Sequence, residues 1–126
     1  MTPQEAIEIL KDLRTYDDDC ETDVEALAMA IDILEKQIPD EICEKAVRKF
    51  GKTAQLIMAM EEMSELIQAL SKDIRGKGSR NNISEEIADV EIMLAQLKII
   101  YRNANDVDDW RADKLSLLQK LIDKEV

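Results

Sequence analysis

Residues 55–101 read QLIMAMEEMSELIQALSKDIRGKGSRNNISEEIADVEIMLAQLKIIY, and the fold is decided by how this stretch is read. On either side of a glycine-containing break the apolar residues recur at spacings of three and four, the period of two amphipathic helices. Each helix carries an acidic pair three residues apart, Glu62 with Glu65 and Glu86 with Asp89. Residues i and i+3 project from neighbouring positions on one helix face, so each pair offers two carboxylates to the same patch of space.

The direction in which the pairs point follows from about 100° of rotation per residue. Around the second helix Val90, Met93 and Leu97 fall within roughly 40° of Glu86, which places Glu86 near the middle of an apolar face. Asp89 lies toward the edge of that face, while Glu91, Lys98 and Arg102 take the opposite side. On the first helix Leu56, Met60, Met63, Ile67 and Leu70 form the expected core stripe. Glu62 flanks it among Gln55, Met58, Leu66 and Ala69, with Glu65 beside it. An ionised carboxylate among apolar side chains costs several kcal/mol unless a cation or strong donors compensate. Four together repel one another and call for positive charge.

Hard divalent cations answer that demand, because Mg²⁺ takes carboxylate oxygens and keeps its other positions for water and phosphate oxygens. The chain has no histidine, which removes the Glu-x-x-His di-iron pattern, histidine-based zinc sites and the Ser-His-Asp triad. An all-oxygen donor set favours Mg²⁺, with Mn²⁺ as a substitute. With 28 acidic residues in the chain, a single ExxE or ExxD arises readily by chance on a solvated face. Two such pairs on consecutive helices, one of them on an apolar face, point to a site.

The arrangement Glu62-x-x-Glu65, a spacer of 20 residues, then Glu86-x-x-Asp89 resembles the metal-binding signature of the MazG-like all-α nucleoside triphosphate pyrophosphohydrolases, relatives of the dimeric dUTPases. EEMSELIQAL and EEIADVEIML read like the two motif helices of that family, and FGKTAQL precedes the first as it does in many small members. The resemblance covers residues 42–121. It implies an all-α, MazG-like antiparallel helical bundle over residues 40–126, completed by oligomerisation as a homodimer or homotetramer. It also implies that Glu62, Glu65, Glu86 and Asp89 are the catalytic metal ligands. They would hold Mg²⁺ on a nucleoside or deoxynucleoside triphosphate while water attacks the α-phosphorus, releasing a monophosphate and pyrophosphate.

The remaining sequence reads as support. At 126 residues the chain suits one modest core, of the size that long helices often complete by association. A net charge of −11 argues against a nucleic-acid polymer as partner, since binding its backbone needs concentrated positive charge. No apolar run is long enough to span a membrane, and no secretory leader pattern stands at the start, so the expected compartment is the cytoplasm. Cys20 and Cys43 are too few and too separated for a disulfide framework and read as reduced thiols.

Residues 1–39 are expected to form a helical hairpin appended to the catalytic domain. Thr2-Pro3-Gln4-Glu5 is a capping box with proline at the first helical position. YDDDCE is a solvated turn, Thr22-Asp23-Val24-Glu25 a second capping box, and Ile38 before Pro39 a stop. A short helix from Asp40 is expected to end at Gly51 in a left-handed conformation. Gly51-Lys52-Thr53 lacks the first glycine and the leading strand of a P-loop. Asn82 is the expected cap of the second motif helix, with Glu85 as its partner, and RNANDVDD a connection before a last helix around Trp110 and Leu121.

Candidate substrate contacts are Gln55, two turns before Glu62, Lys72 and Arg75 at the basic break, and Lys114 on the last helix, because lysine and arginine suit phosphate oxygens. Core packing for Gln55 and a solvated surface for the three cations are the alternatives. Phe50, Tyr101 and Trp110 read as packing residues. Two further readings of the whole chain stand beside the enzyme: a non-catalytic helical interaction or regulatory protein, which would expose its acids, and a nucleotide-binding but inactive family member.

Overall fold

The computed structural model describes residues 1–13 and 21–124, and these form five helices with no strand among them: α1 (Pro3–Leu13), α2 (Glu21–Phe50), α3 (Lys52–Ile74), α4 (Arg80–Tyr101) and α5 (Ala104–Lys124). The expected all-α class is what is found. None of these helices is long and apolar enough to cross a membrane. The turn expected over YDDDCE, the thiol of Cys20 and the side chains of the capping box at Thr22 fall outside the described residues. The chain divides into two compact units, Met1–Lys45 and Ala46–Val126.

In the first unit the capping box at Thr2 forms as read. Thr2 N–H donates to Glu5 Oε2 at 2.8 Å and Glu5 N–H to Thr2 Oγ1 at 3.2 Å, so two orphan donors at the start of α1 are satisfied. Among the described residues of this unit Ile7, Ile31 and Cys43 are buried. Burial and the neighbouring charge of Asp40 push the Cys43 thiol pKa up. Lys11 Nζ meets Glu35 Oε1 at 2.6 Å, but both side chains are about half exposed, and such a pair adds little.

The helix stop expected at Ile38 is not made, because α2 runs through Pro39 to Phe50. Proline inside a helix loses one backbone hydrogen bond and crowds the preceding turn, at a cost of about 3 kcal/mol. Helix-forming residues flank it on both sides, Leu34-Glu35-Lys36-Gln37 before and Glu41 to Lys45 after, and their propensities offset the interruption.

The second unit is built on α3 packed antiparallel against α4. Gly51 separates α2 from α3 with φ 89° and ψ 157°. The positive φ was expected, but ψ is extended rather than left-handed helical, a region essentially reserved for glycine. Its N–H still closes the end of α2 on Val47 O at 2.9 Å. The turn from α3 to α4 is shorter than the basic stretch suggested, since Lys72 lies on α3 and Arg80 opens α4. Gly78 passes so close to Asp73 that a Cβ there would sit 2.5 Å from the Asp73 Cα.

The cap of α4 is Ser79, not Asn82: its hydroxyl accepts from the Asn82 N–H at 3.3 Å. Asn82 is the third residue of the helix and Glu85 has no capping task, because a serine already in extended backbone three residues earlier satisfies the same donor. α4 ends at Arg102 in left-handed backbone, φ 51° and ψ 44°. α5 starts at Ala104, so most of the expected connection RNANDVDD is helical.

Replacing Gly51 by Ala should destabilise the chain by about 1–3 kcal/mol, because a Cβ must then occupy a strained backbone region although no neighbouring atom obstructs it. Urea unfolding followed by circular dichroism measures this as a lower midpoint at unchanged slope.

Candidate metal centre

The buried residues of α3 are Gln55, Ala59 and Ala69, and Leu56, Glu62, Met63 and Leu66 are half-buried beside them. This corrects the expected core stripe, because Met60, Ile67 and Leu70 are 61%, 67% and 45% exposed. The face turned to α4 is the one on which Glu62 stands. Alanines at 59 and 69 let the two backbones approach on either side of it, and helix separation is set by the side chains at the contact. On α4 the inward face runs through Asn82, Glu86, Asp89, Met93 and Gln96, with Met93 and Gln96 buried. The inward reading of Glu86 and Asp89 matches this face.

Antiparallel packing then brings the two acidic pairs together. One oxygen each of Glu62, Glu65 and Glu86 lies within 4.8 Å of the others. Asp89 is outside that set, yet its charge acts on both Glu62 and Glu86. Glu62, Glu86 and Asp89 are half-buried and Glu65 is exposed, so the group opens to solvent on the Glu65 side. Among the described residues no lysine or arginine pairs with any of the four.

The electrostatics reflect that crowding. Burial pushes the Glu62 carboxyl pKa up, and the charges of Glu65, Asp89 and Glu86 and a hydrogen bond with Glu65 push it further. Burial likewise raises Glu86, with Glu65, Asp89 and Glu85 adding to it. Glu62 Oε2 and Glu86 Oε2 are buried oxygens with no hydrogen-bond partner, and Asn103 Oδ1 is the third such atom among the described residues. Buried acceptors are nearly always satisfied, so two orphans in one acidic group mark a place where a donor or cation fits. Three carboxylates make an all-oxygen donor set of the kind Mg²⁺ or Mn²⁺ takes. Rotation about the glutamate side-chain bonds can bring oxygens 4.8 Å apart to the roughly 3 Å spacing of neighbouring ligands around an ion held at about 2.1 Å.

The other candidate residues are placed differently. Gln55 is 7% exposed, and its amide donates to Gln96 Oε1 at 2.6 Å, a buried bond that fixes the register of α3 on α4. Lys72 and Arg75 are exposed at the end of α3, seven and ten residues beyond Glu65. Lys114 is exposed on α5 and lies over the ring of Trp110, 5.9 Å from its centroid. Phe50, Tyr101 and Trp110 are 59%, 53% and 65% exposed, so they are not the buried packing residues expected. Gln96 is the residue that the sequence reading missed. Its position ten residues after Glu86, in line with Asp89 and Met93, is the signal that identifies it.

What fold and site define together is an all-helical protein with a cluster of unneutralised acids between two antiparallel helices. No family model, curated protein or solved structure matches the chain, and the geometry of the cluster carries the functional argument.

The raised acids set a pH dependence of stability without metal. The folded state binds protons more tightly than the unfolded chain at Glu62 and Glu86, so stability is lost as pH rises from the ordinary glutamate range through the raised values. In chelator-treated protein the melting temperature attributable to these groups should fall across that interval. Glu86→Gln should flatten the fall and melt higher than wild type at pH 7, as differential scanning fluorimetry across pH will show.

Proposed function

We propose that this chain is a Mg²⁺-dependent hydrolase of nucleoside or deoxynucleoside triphosphates, releasing the monophosphate and pyrophosphate. The observation that carries the reading is the convergence of Glu62, Glu65 and Glu86 within 4.8 Å, with two buried oxygens lacking any partner. The paired motifs that place these acids resemble those of MazG-like pyrophosphohydrolases, whose chemistry needs such a group.

Glu62 and Glu86, drawn from opposite helices, are the inner ligands, and Asp89 adds charge behind them. A bound Mg²⁺, or Mn²⁺, supplies neutralisation of the triphosphate, a lower pKa for a water molecule and stabilisation of the departing pyrophosphate. Glu65, the exposed member, stands at the mouth, where its carboxylate can take the proton of the attacking water. Lys72 in the last turn of α3 and Arg75 at its cap lie beyond the acids and are the candidate contacts to phosphate oxygens. Lys114 is the remaining substrate candidate, and Gln55 is a positioning residue acting through the α3–α4 register that its bond to Gln96 sets. The enzyme works as a homodimer or homotetramer in the cytoplasm.

An interaction or regulatory protein is the competing reading, favoured by the exposed apolar residues of α3 to α5. It leaves the orphaned inward carboxylates without a purpose.

Incubation with a panel of canonical and modified nucleoside triphosphates and Mg²⁺, with pyrophosphate detected separately from orthophosphate, should give pyrophosphate from at least one. Glu86→Gln should abolish it while keeping wild-type helicity. Mg²⁺ together with that triphosphate should also stabilise the wild type by about 2.7 kcal/mol at a hundred times its dissociation constant. A panel that yields neither pyrophosphate nor a melting shift ends the enzyme reading. A shift without pyrophosphate identifies a protein that binds the nucleotide and does not hydrolyse it.

A further inference from the structure

The charge of the chain is concentrated in one of its two units. Of the 28 acidic residues 14 lie within Met1–Lys45, together with only four of the 17 lysines and arginines. That unit carries −10 of the total of −11, and the rest of the chain, which holds all four acids of the metal centre, carries −1. Two of the unit's four cations, Lys11 and Lys36, already pair with Glu35 and Asp32. None of this charge belongs to the metal centre.

Within this unit α2 is apolar on two opposite sides. Leu27, Leu34 and Ile38 lie within roughly 60° of the buried Ile31 at about 100° per residue, and all three are half-buried. Glu35, roughly 40° from Ile31 by the same count, meets Lys11 of α1, so α1 lies on this side. Ala26, Met29 and Ile33 stand about 140–160° away from Ile31, and Met29 and Ile33 are 65% and 53% exposed. Their spacing of three and four residues makes one continuous stripe along the helix. Glu25 and Asp32, both exposed, border it on one side, and the exposed Asp40 stands in line with it seven residues after Ile33.

We propose that the outward stripe of α2 is a docking surface for a basic amphipathic helix of another protein, one with apolar residues three and four apart and lysines or arginines on its flanks. Charge complementarity selects that occupant. An apolar stripe takes the matching stripe of a partner helix, and the acids bordering it pair with cations on the partner's flanks, as in helices that associate side by side. A second copy of this chain would set Glu25 and Asp32 against a unit of the same −10 charge, and a nucleic-acid backbone or an anionic membrane surface is repelled in the same way. A small polyamine would leave Met29 and Ile33 exposed. The inference goes beyond the proposed activity, and neither magnesium nor nucleotide enters its test.

The probe is a fluorescently labelled synthetic helix with leucines at spacings of three and four and lysines on both flanks, and its anisotropy reports binding to the full chain. It should bind at least about tenfold more tightly than a scrambled peptide of the same composition, which keeps the charge and loses the apolar face. A peptide with glutamates in place of the lysines should not bind. Ile33→Ser should weaken binding by about tenfold, whereas Ile9→Ser on α1, about 160° around that helix from Ile7, should leave it unchanged. Both side chains are about half exposed, 53% and 47%, so neither substitution empties a core. Glu25→Gln combined with Asp32→Asn should weaken binding and reduce its salt dependence. Equal affinity for the scrambled peptide reduces the interaction to bulk attraction of charge and overturns the proposal. So does an equal loss with Ile9→Ser, or a chain that binds none of the peptides. Should Ile33→Ser fail to fold, the scrambled peptide and the Glu25 and Asp32 substitutions decide.

Discussion

Repulsion among carboxylates held between α3 and α4 is the constraint around which the second unit is arranged. Burial of Glu62 and Glu86, with the charges of Glu65 and Asp89 acting on both, would separate the helices if packing on either side did not hold them. Ala59 and Ala69, 2% and 3% exposed, bring the backbones close before and after the acids. The Gln55–Gln96 bond fixes which turn of α3 faces which turn of α4. A slip of either helix would leave two buried amides unpaired, a penalty of about 1–3 kcal/mol for each group. Register is thus set by neutral polar groups, and the charged ones occupy the space that this register creates.

The acidic pairs and the all-helical class were legible in the sequence because both depend on local period alone. Glu86 and Asp89 sit on the inward face of α4 because any partner helix meets that face along the same 3.6-residue repeat. The core stripe of α3 was misjudged for a physical reason. Met60, Ile67 and Leu70 are large and apolar, and hydrophobicity identifies a face that wants covering without saying what covers it. Within this chain α4 lies against the smaller residues Ala59 and Ala69 and against Glu62. Pro39 and Ser79 misled in a similar way: a helix signal competes with its neighbours, and strong helix formers around Pro39 and an earlier cap at Ser79 prevailed.

The two sides of the α3–α4 layer have opposite requirements. One presents acids with which no lysine or arginine pairs among the described residues, and the other presents large apolar side chains, Met60, Ile67, Ile74, Ile87, Leu94 and Tyr101, left 42–88% exposed. Each is unfavourable for an isolated chain and ordinary for a protein with something bound there. α5 belongs with the second group, since its large apolar residues, Trp110, Leu115, Leu117, Leu118, Leu121 and Ile122, are all more than half exposed.

Because the two deficits lie on different sides of the layer, they can be met separately, and the α3–α4 spacing is what connects them. A cation between Glu62 and Glu86 would link the two helices at one level. Apolar burial on the other side would hold the same helices at every level of the stripe. Either ligand would bind the folded chain and not the unfolded one, so each would shift stability by mass action, and their effects would add unless the helices move between the bound and free forms. A rigid register, with Gln55 and Gln96 paired, predicts near-additivity. A cation site assembled by closing the helices would instead couple metal affinity to association. The carboxylate oxygens stand 4.8 Å apart at most within the converged set, a separation that side-chain rotation can close, and that geometry favours the additive case.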